Sequence, residues 1–187
     1  VITMVGPGGD PHTYQPSTRD IQTIQAADAV VWNGLFLEAR MEDLLMSLGD
    51  KALATAERLP SAMLLPWEDD LNDPHVWNSP VAWSAIVGYI ADHLAEIDPD
   101  NADAYVANAK AYIDEIRTAD AEATKLLSAI PDANRILITG HDAFEYFEDI
   151  YGLEVRATDF VSTEAEMSPA ELAELAQFID DKKIPVI

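Results

Sequence analysis

With 187 residues, 49% of them hydrophobic, the chain has enough apolar material to build one large domain or two small ones, which argues against disorder despite a formal net charge of -23. Its 34 Asp and Glu against 11 Lys and Arg exclude nucleic acid as a partner, because phosphate binding rests on cationic side chains, and they disfavour anionic membrane surfaces. The absence of cysteine removes disulfides, zinc-thiolate sites, iron–sulfur clusters and thiol nucleophiles, and the acidity suits a high-salt habitat as readily as an ordinary one.

In chain order, Val1–Val5 reads as the tail of a strand whose start is missing, running straight into Gly6-Pro7-Gly8-Gly9. Ser17 or Thr18 caps a short amphipathic helix carrying Ile21 and Ile24, and Ala29–Asn33 is a buried strand closed by Asn33-Gly34. Helical spacing of Leu37, Met41, Leu44, Leu45 and Leu48 predicts a helix from Phe36 to Leu48. Pro60, Pro66, Pro74 and the acidic run Glu68-Asp69-Asp70 mark a surface loop. Helical period returns from Pro80 and breaks at Asp98-Pro99. A second helix, capped by Asp100 or Asn101, runs to about Leu127 without Gly or Pro; it would be roughly 40 Å long, enough to bridge two lobes. A strand at Arg135–Thr139, a helix at Ala143–Ile150 and a strand at Leu153–Arg156 follow. Ser168-Pro169-Ala170-Glu171 then opens a helix with a capping-box pattern. After Lys182-Lys183 an apolar, β-prone run begins as the sequence stops, so both ends look cut through secondary structure. No window approaches the ~18 apolar residues of a membrane span.

These alternations predict an α/β fold of two α/β lobes with mainly parallel sheets joined by a long rigid helix, apparently truncated at both ends. The expected division is residues 1–100 as an N-terminal lobe, 101–130 as the linking helix and 131–187 as part of a C-terminal lobe.

Three of the four histidines share a setting. His12 follows Asp10-Pro11, His75 follows Asp73-Pro74, and His141 stands between Gly140 and Asp142, each where a loop is expected to leave a sheet. Ligands of open α/β sheets bind beyond the carboxyl ends of the strands. Neutral imidazole is the commonest metal ligand, and a neighbouring Asp (Asp10, Asp73, Asp142) can orient the ring. On spacing alone, a shared metal site stands beside the plainer alternative of three scattered surface histidines.

The stretch Val5-Gly6-Pro7-Gly8-Gly9-Asp10-Pro11-His12-Thr13-Tyr14-Gln15-Pro16-Ser17, followed by Ala27–Gly34, resembles the metal-receptor family of bacterial ABC-transporter solute-binding proteins, which take up zinc or manganese. Asp73-Pro74-His75-Val76-Trp77, the segment Ile138–Phe147 and Ser162–Pro169 resemble that family's later motifs in the same order. The resemblance covers essentially the whole chain. It implies two lobes around one divalent ion held by His12, His75 and His141, with delivery to an ABC permease. It further implies a monomer and a periplasmic or extracellular, membrane-tethered location. His at the third ligand position leans towards Zn2+, with Mn2+ as the alternative cargo, and three imidazoles suit a borderline-soft ion. The family's usual carboxylate ligand is an Asp near the end of the second lobe, absent from this sequence. Asp159, Glu164 and Glu166 match no ligand position, so the fourth ligand stays unassigned. The His-rich loop of many zinc receptors is also missing from about residues 60–72.

The competing functions are a zinc-dependent hydrolase, for which Asp142 or Glu164 would have to serve as base without any recognised catalytic spacing, and a surface adhesin, which would not need the histidines. The remaining residues read plainly. His93 is expected on a helix surface; Trp32, Trp77 and Trp83 pack in core or cleft walls, Trp77 shielding the metal; Glu68–Asp70 is a solvated loop. The glycine-rich turn lacks phosphate-loop and dinucleotide spacing and serves to present His12.

Overall fold

The computed structural model describes residues 1–67, 71–158 and 167–184. Thr18–Ala26 (α1) opens on a capping box: Ser17 Oγ accepts from Asp20 N, and the Asp20 carboxylate accepts from Ser17 N. Val30–Trp32 (β1) and Ala52–Ala54 (β2) pair in parallel, Val30 opposite Ala52, across the short helix Glu42–Met46 (α2). Parallel strands cannot be joined by a tight turn, which is why a helical crossover intervenes. Two long helices follow, Pro80–Ile97 (α3) and Ala102–Ser128 (α4). The second parallel pair is Ile136–Thr139 (β3) and Glu154–Ala157 (β4), spanned by Glu145–Tyr151 (α5); Pro169–Lys182 (α6) comes last. The predicted α/β class with short parallel sheets is what forms. Among the described residues no helix is long and apolar enough to cross a membrane.

Two apolar clusters support the sheets. Ile24, Trp32, Met41 and Leu45 pack under β1, while Ala56, Leu59, Val76, Ala82 and Ile86 form a second core that also takes in Tyr146 from α5. The α4 helix spans 27 residues, about 40 Å, and folds back along α3 with Trp83 Nε1 donating to Tyr112 OH at 3.4 Å. Farther along, its Asp120 accepts from Tyr151 OH at 2.8 Å, so one helix touches both α3 and the second βαβ unit. Arg135 ties the end of α4 to the end of α5, donating to the carbonyls of Leu127, Tyr151 and Gly152.

Three expectations are corrected. Val1–Val5 forms no strand: its residues from Ile2 on line one wall of a cleft of about 380 Å³ that Ile24, Val30, Glu38 and Leu45 also line, and a strand exists only where a neighbour takes its backbone hydrogen bonds. The helix expected from Phe36 is largely a turn. Glu38 bends back to accept from Asn33 N and Gly34 N, which carries Gly34, Leu35 and Phe36 through positive φ and delays α2 to Glu42. Leu37, Met41 and Leu45 are nonetheless buried as their spacing predicted. Finally, His93 is not on a helix surface. It is buried on α3 with Nε2 3.3 Å from the Lys51 carbonyl, because it stands seven residues, two helical turns, past the fully buried Ile86 and shares that face.

Candidate metal centre

Each of the three histidines is delivered by a separate local device. The Gly9 N–H donates to Gly6 O at 2.9 Å, closing a turn in which Gly8 adopts φ of 78°, and Asp10 then accepts from the His12 backbone N–H. Tyr14, just beyond, is tied by its hydroxyl to Asp20 at the head of α1, so the capping box also anchors this loop. His141 follows β3 directly. Thr139 Oγ1 donates to the His141 carbonyl at 2.8 Å, as does Ala143 N at 3.0 Å, which folds the chain sharply at the strand end. His75 leaves no named strand, and neither does His12; of the three, only His141 has the strand-end setting expected from the sequence. His75 instead heads a 3₁₀ turn, Val76–Asn78, in a loop closed by Asp73 N donating to Leu65 O.

These devices bring His12, His75 and His141 together, with one ligating nitrogen from each lying within 4.8 Å of the other two. His75 is central. Its Nε2 is 3.3 Å from that of His12 and 3.1 Å from that of His141. Zinc–imidazole bonds of 2.0–2.1 Å at the tetrahedral angle put neighbouring nitrogens about 3.3–3.4 Å apart, so these separations suit a shared ion. His12 and His75 are buried and His141 is partly so.

Asp73 is the oriented carboxylate anticipated from the Asp-Pro-His spacing. It has no exposure, and its Oδ1 accepts from both the His75 backbone N–H at 2.8 Å and Nδ1 at 2.6 Å. With Nδ1–H committed there, the neutral ring turns its Nε2 lone pair towards the other two imidazoles. Asp73 Oδ2 is buried without a hydrogen-bond partner among the described residues. A buried anion of this kind calls for positive charge nearby, and a dication on the three rings would supply it. Asp10 plays a different part from the one expected, since it holds the His12 backbone. Burial first, then the Asp73 charge, raises the Asp142 carboxyl above its ordinary range, and Glu145 is raised by burial and then by Asp142.

Trp32 is core, whereas Trp77 is 40% exposed and meets the His75 ring edge-on at 5.2 Å, covering one side of it. Sequence reasoning missed three supporting residues. Asn33 Nδ2 donates to Pro74 O, Asn78 Nδ2 donates to Ala143 O, and Tyr146 OH donates to Asp73 O, so all three grip the His75 loop. Asn33 and Tyr146 stood within quoted motifs and Asn78 one residue past one, but nothing in a motif says which backbone a side chain will reach. Glu68–Asp70, Asp159, Glu164 and Glu166 lie outside the described residues.

Burial, reinforced by the adjacent His75 and His141 rings, pushes His12 down from 6.5 to about 4. An unfolded His12 therefore takes up a proton below pH 6.5 while the folded one does not, so stability is present above that pH and is lost as the pH falls. The His12 contribution to the stability of the chelator-stripped protein is expected to fall by about 2 kcal/mol on going to about pH 5, with the raised carboxyls of Asp142 and Glu145 acting in the opposite direction. Urea unfolding across that range checks this; a His12→Gln variant should lack the slope, and an equal slope in both proteins would refute the assignment.

The zinc-uptake complex component A family, ZnuA, described as periplasmic, matches residues 1–187. The manganese-binding lipoprotein MntA of Bacillus subtilis is 36% identical, aligned over 100% of this chain and 62% of its own length. The iron-binding protein YfeA of Yersinia pestis is 33% identical over 100% of this chain and 61% of its own. Among solved structures, the periplasmic zinc-binding protein TroA of Treponema pallidum superimposes with a TM-score of 0.93 at 34% identity, covering 97% of this chain and 66% of TroA. The chain thus spans about three-fifths of the length of the curated relatives it matches. With a match across its whole length and relatives at this identity, the chain belongs to the ZnuA family of metal-uptake solute-binding proteins.

Proposed function

We propose that this protein captures a divalent transition metal ion, zinc by preference and manganese as the alternative, on His12, His75 and His141. It then passes the ion to an ABC permease outside the cytoplasmic membrane. The observation that carries the reading is the convergence of the three Nε2 atoms around His75 at separations of 3.3 and 3.1 Å. Three neutral imidazoles, one of them oriented by a buried carboxylate, favour zinc over harder, oxygen-seeking ions. The relatives' names divide among manganese, zinc and iron, so the donor set rather than kinship argues for zinc. Residues 1–100 would form one lobe, 101–130 the linking helix and 131–187 part of the second lobe. Capture and release need no chemical transformation of the cargo, and the protein acts as a monomeric receptor, in keeping with a family described as periplasmic and with relatives named as lipoproteins.

Calorimetric titration of the chelator-stripped protein with zinc and, separately, with manganese tests this, with bound metal counted by elemental analysis. One tight zinc site with manganese clearly weaker is expected. Stronger manganese binding would overturn the choice of ion, and no stoichiometric binding of either would overturn the capture reading.

A further inference from the structure

Tyr146 belongs to α5, a few residues past His141, yet its ring lies in the other core, beside Ala56, Val76, Ala82 and Ile86, with 3% exposure. Phenylalanine would fill that space equally well. What the tyrosine adds is a buried hydroxyl, a group that burial penalises unless it is fully bonded. It is fully bonded: the hydroxyl donates to Asp73 O at 3.0 Å and accepts from Leu65 N at 3.1 Å. Those two residues are already joined by Asp73 N donating to Leu65 O at 2.9 Å, so Tyr146 closes the base of the loop that carries His75. Burial pushes its phenol up to about 12, which keeps it a donor at any working pH.

On the other side of His75, Asn78 Nδ2 donates to the Ala143 carbonyl at 2.6 Å. The His75 loop is thus gripped before and after the ring, by Asp73 and Asn78, and both grips reach the segment that begins with His141. These bonds tie the backbone on either side of His75 to the segment that carries His141, and the ring nitrogens of the two histidines lie 3.1 Å apart.

We propose that Tyr146 and Asn78 are positioning residues that lock the His75 loop to the His141 segment, making these two imidazoles a preset seat whose rigidity favours zinc over manganese. The inference rests on the metal-capture reading above. A seat that cannot widen suits a four-coordinate ion with short nitrogen bonds and penalises one that seeks more ligands, most of them oxygen.

The test compares wild type with Tyr146→Phe, which keeps the ring in the core, and with Asn78→Ala, which leaves the core untouched. All three proteins are titrated with zinc and with manganese, and their cobalt(II) complexes are read by visible absorption, whose band intensity distinguishes tetrahedral from higher coordination. Tyr146→Phe is expected to weaken zinc binding about 10-fold. Manganese should lose less, and the cobalt band should weaken, with Asn78→Ala shifting all three readings the same way. Unchanged zinc affinity and cobalt spectrum in both variants would overturn the proposal. So would equal losses for zinc and manganese with an unaltered cobalt band, since that pattern is general loosening without a change of seat. Failure of the wild type to bind either ion would overturn the capture reading and this inference with it, and the wild-type arm identifies that case.

Discussion

Replacing His75 with alanine is expected to weaken zinc binding on the order of 10²–10³-fold, the largest loss from any single change in the chain. The three histidines are not equivalent. His75 lies between the other two, and its nitrogen is the one within 3.3 Å of both. At 1% exposure, with Asp73 and Val76 equally enclosed, the site gives water no easy way to replace the lost ring. The metal-free protein should also lose stability, because Asp73 would keep its buried charge while losing the Nδ1–H that Oδ1 now accepts. His141→Ala provides the contrast: its ring is only partly buried, so affinity should fall with less change in unfolding. Competition against a zinc chelator and urea unfolding of the stripped proteins separate the two effects. A His75→Ala protein that still bound zinc within about 10-fold of wild type would remove His75 from the site.

The histidines themselves were legible because their surroundings are written locally. A Gly-rich turn before His12, Asp-Pro before His75 and a strand end before His141 each fix a short piece of backbone, while the grouping of the three as one ligand set came from the family resemblance; of the three neighbouring Asp residues that the sequence offered as ring-orienting, Asp73 bonds the His75 ring and Asp10 bonds backbone instead. The capping box at Ser168 and the helical period that returns from Pro80 were equally local, and both elements formed as expected. Other features depend on bonding partners that composition does not name. Glu38 reaches back four and five residues to two backbone amides, and positive φ from Gly34 to Phe36 stands where the helical pattern was expected to begin. Val1–Val5 has strand composition, but a strand also needs a hydrogen-bonding neighbour. Tyr146 makes its bonds 73 and 81 positions away, and no periodicity encodes such a reach. His93 is the instructive error. It adjoins Asp92 and matches no motif position, yet it stands two turns past Ile86, and position on the buried face decides its burial.

Asp73→Asn should act with opposite signs on affinity and on metal-free stability. The amide keeps an oxygen where Oδ1 accepts from the His75 backbone and ring, so the loop and the tautomer survive. What disappears is a charge with no exposure whose second oxygen has no hydrogen-bond partner among the described residues. Without an ion that charge is a burden. It helps hold the carboxyls of Asp142 and Glu145 above their ordinary range, and burying it costs more than burying a neutral amide. With a dication on the three rings, the same charge becomes the compensating partner that makes His75 a stronger donor. Zinc affinity is therefore expected to fall about 10–100-fold although all three imidazoles remain, while the stripped variant unfolds at the same or higher urea concentration than wild type. Calorimetric titration with zinc reads the first quantity and urea unfolding of the stripped proteins the second. A variant that bound zinc as tightly as wild type but unfolded more easily would make Asp73 a scaffold for its loop with no part in holding the ion, and the buried charge would then need a different explanation.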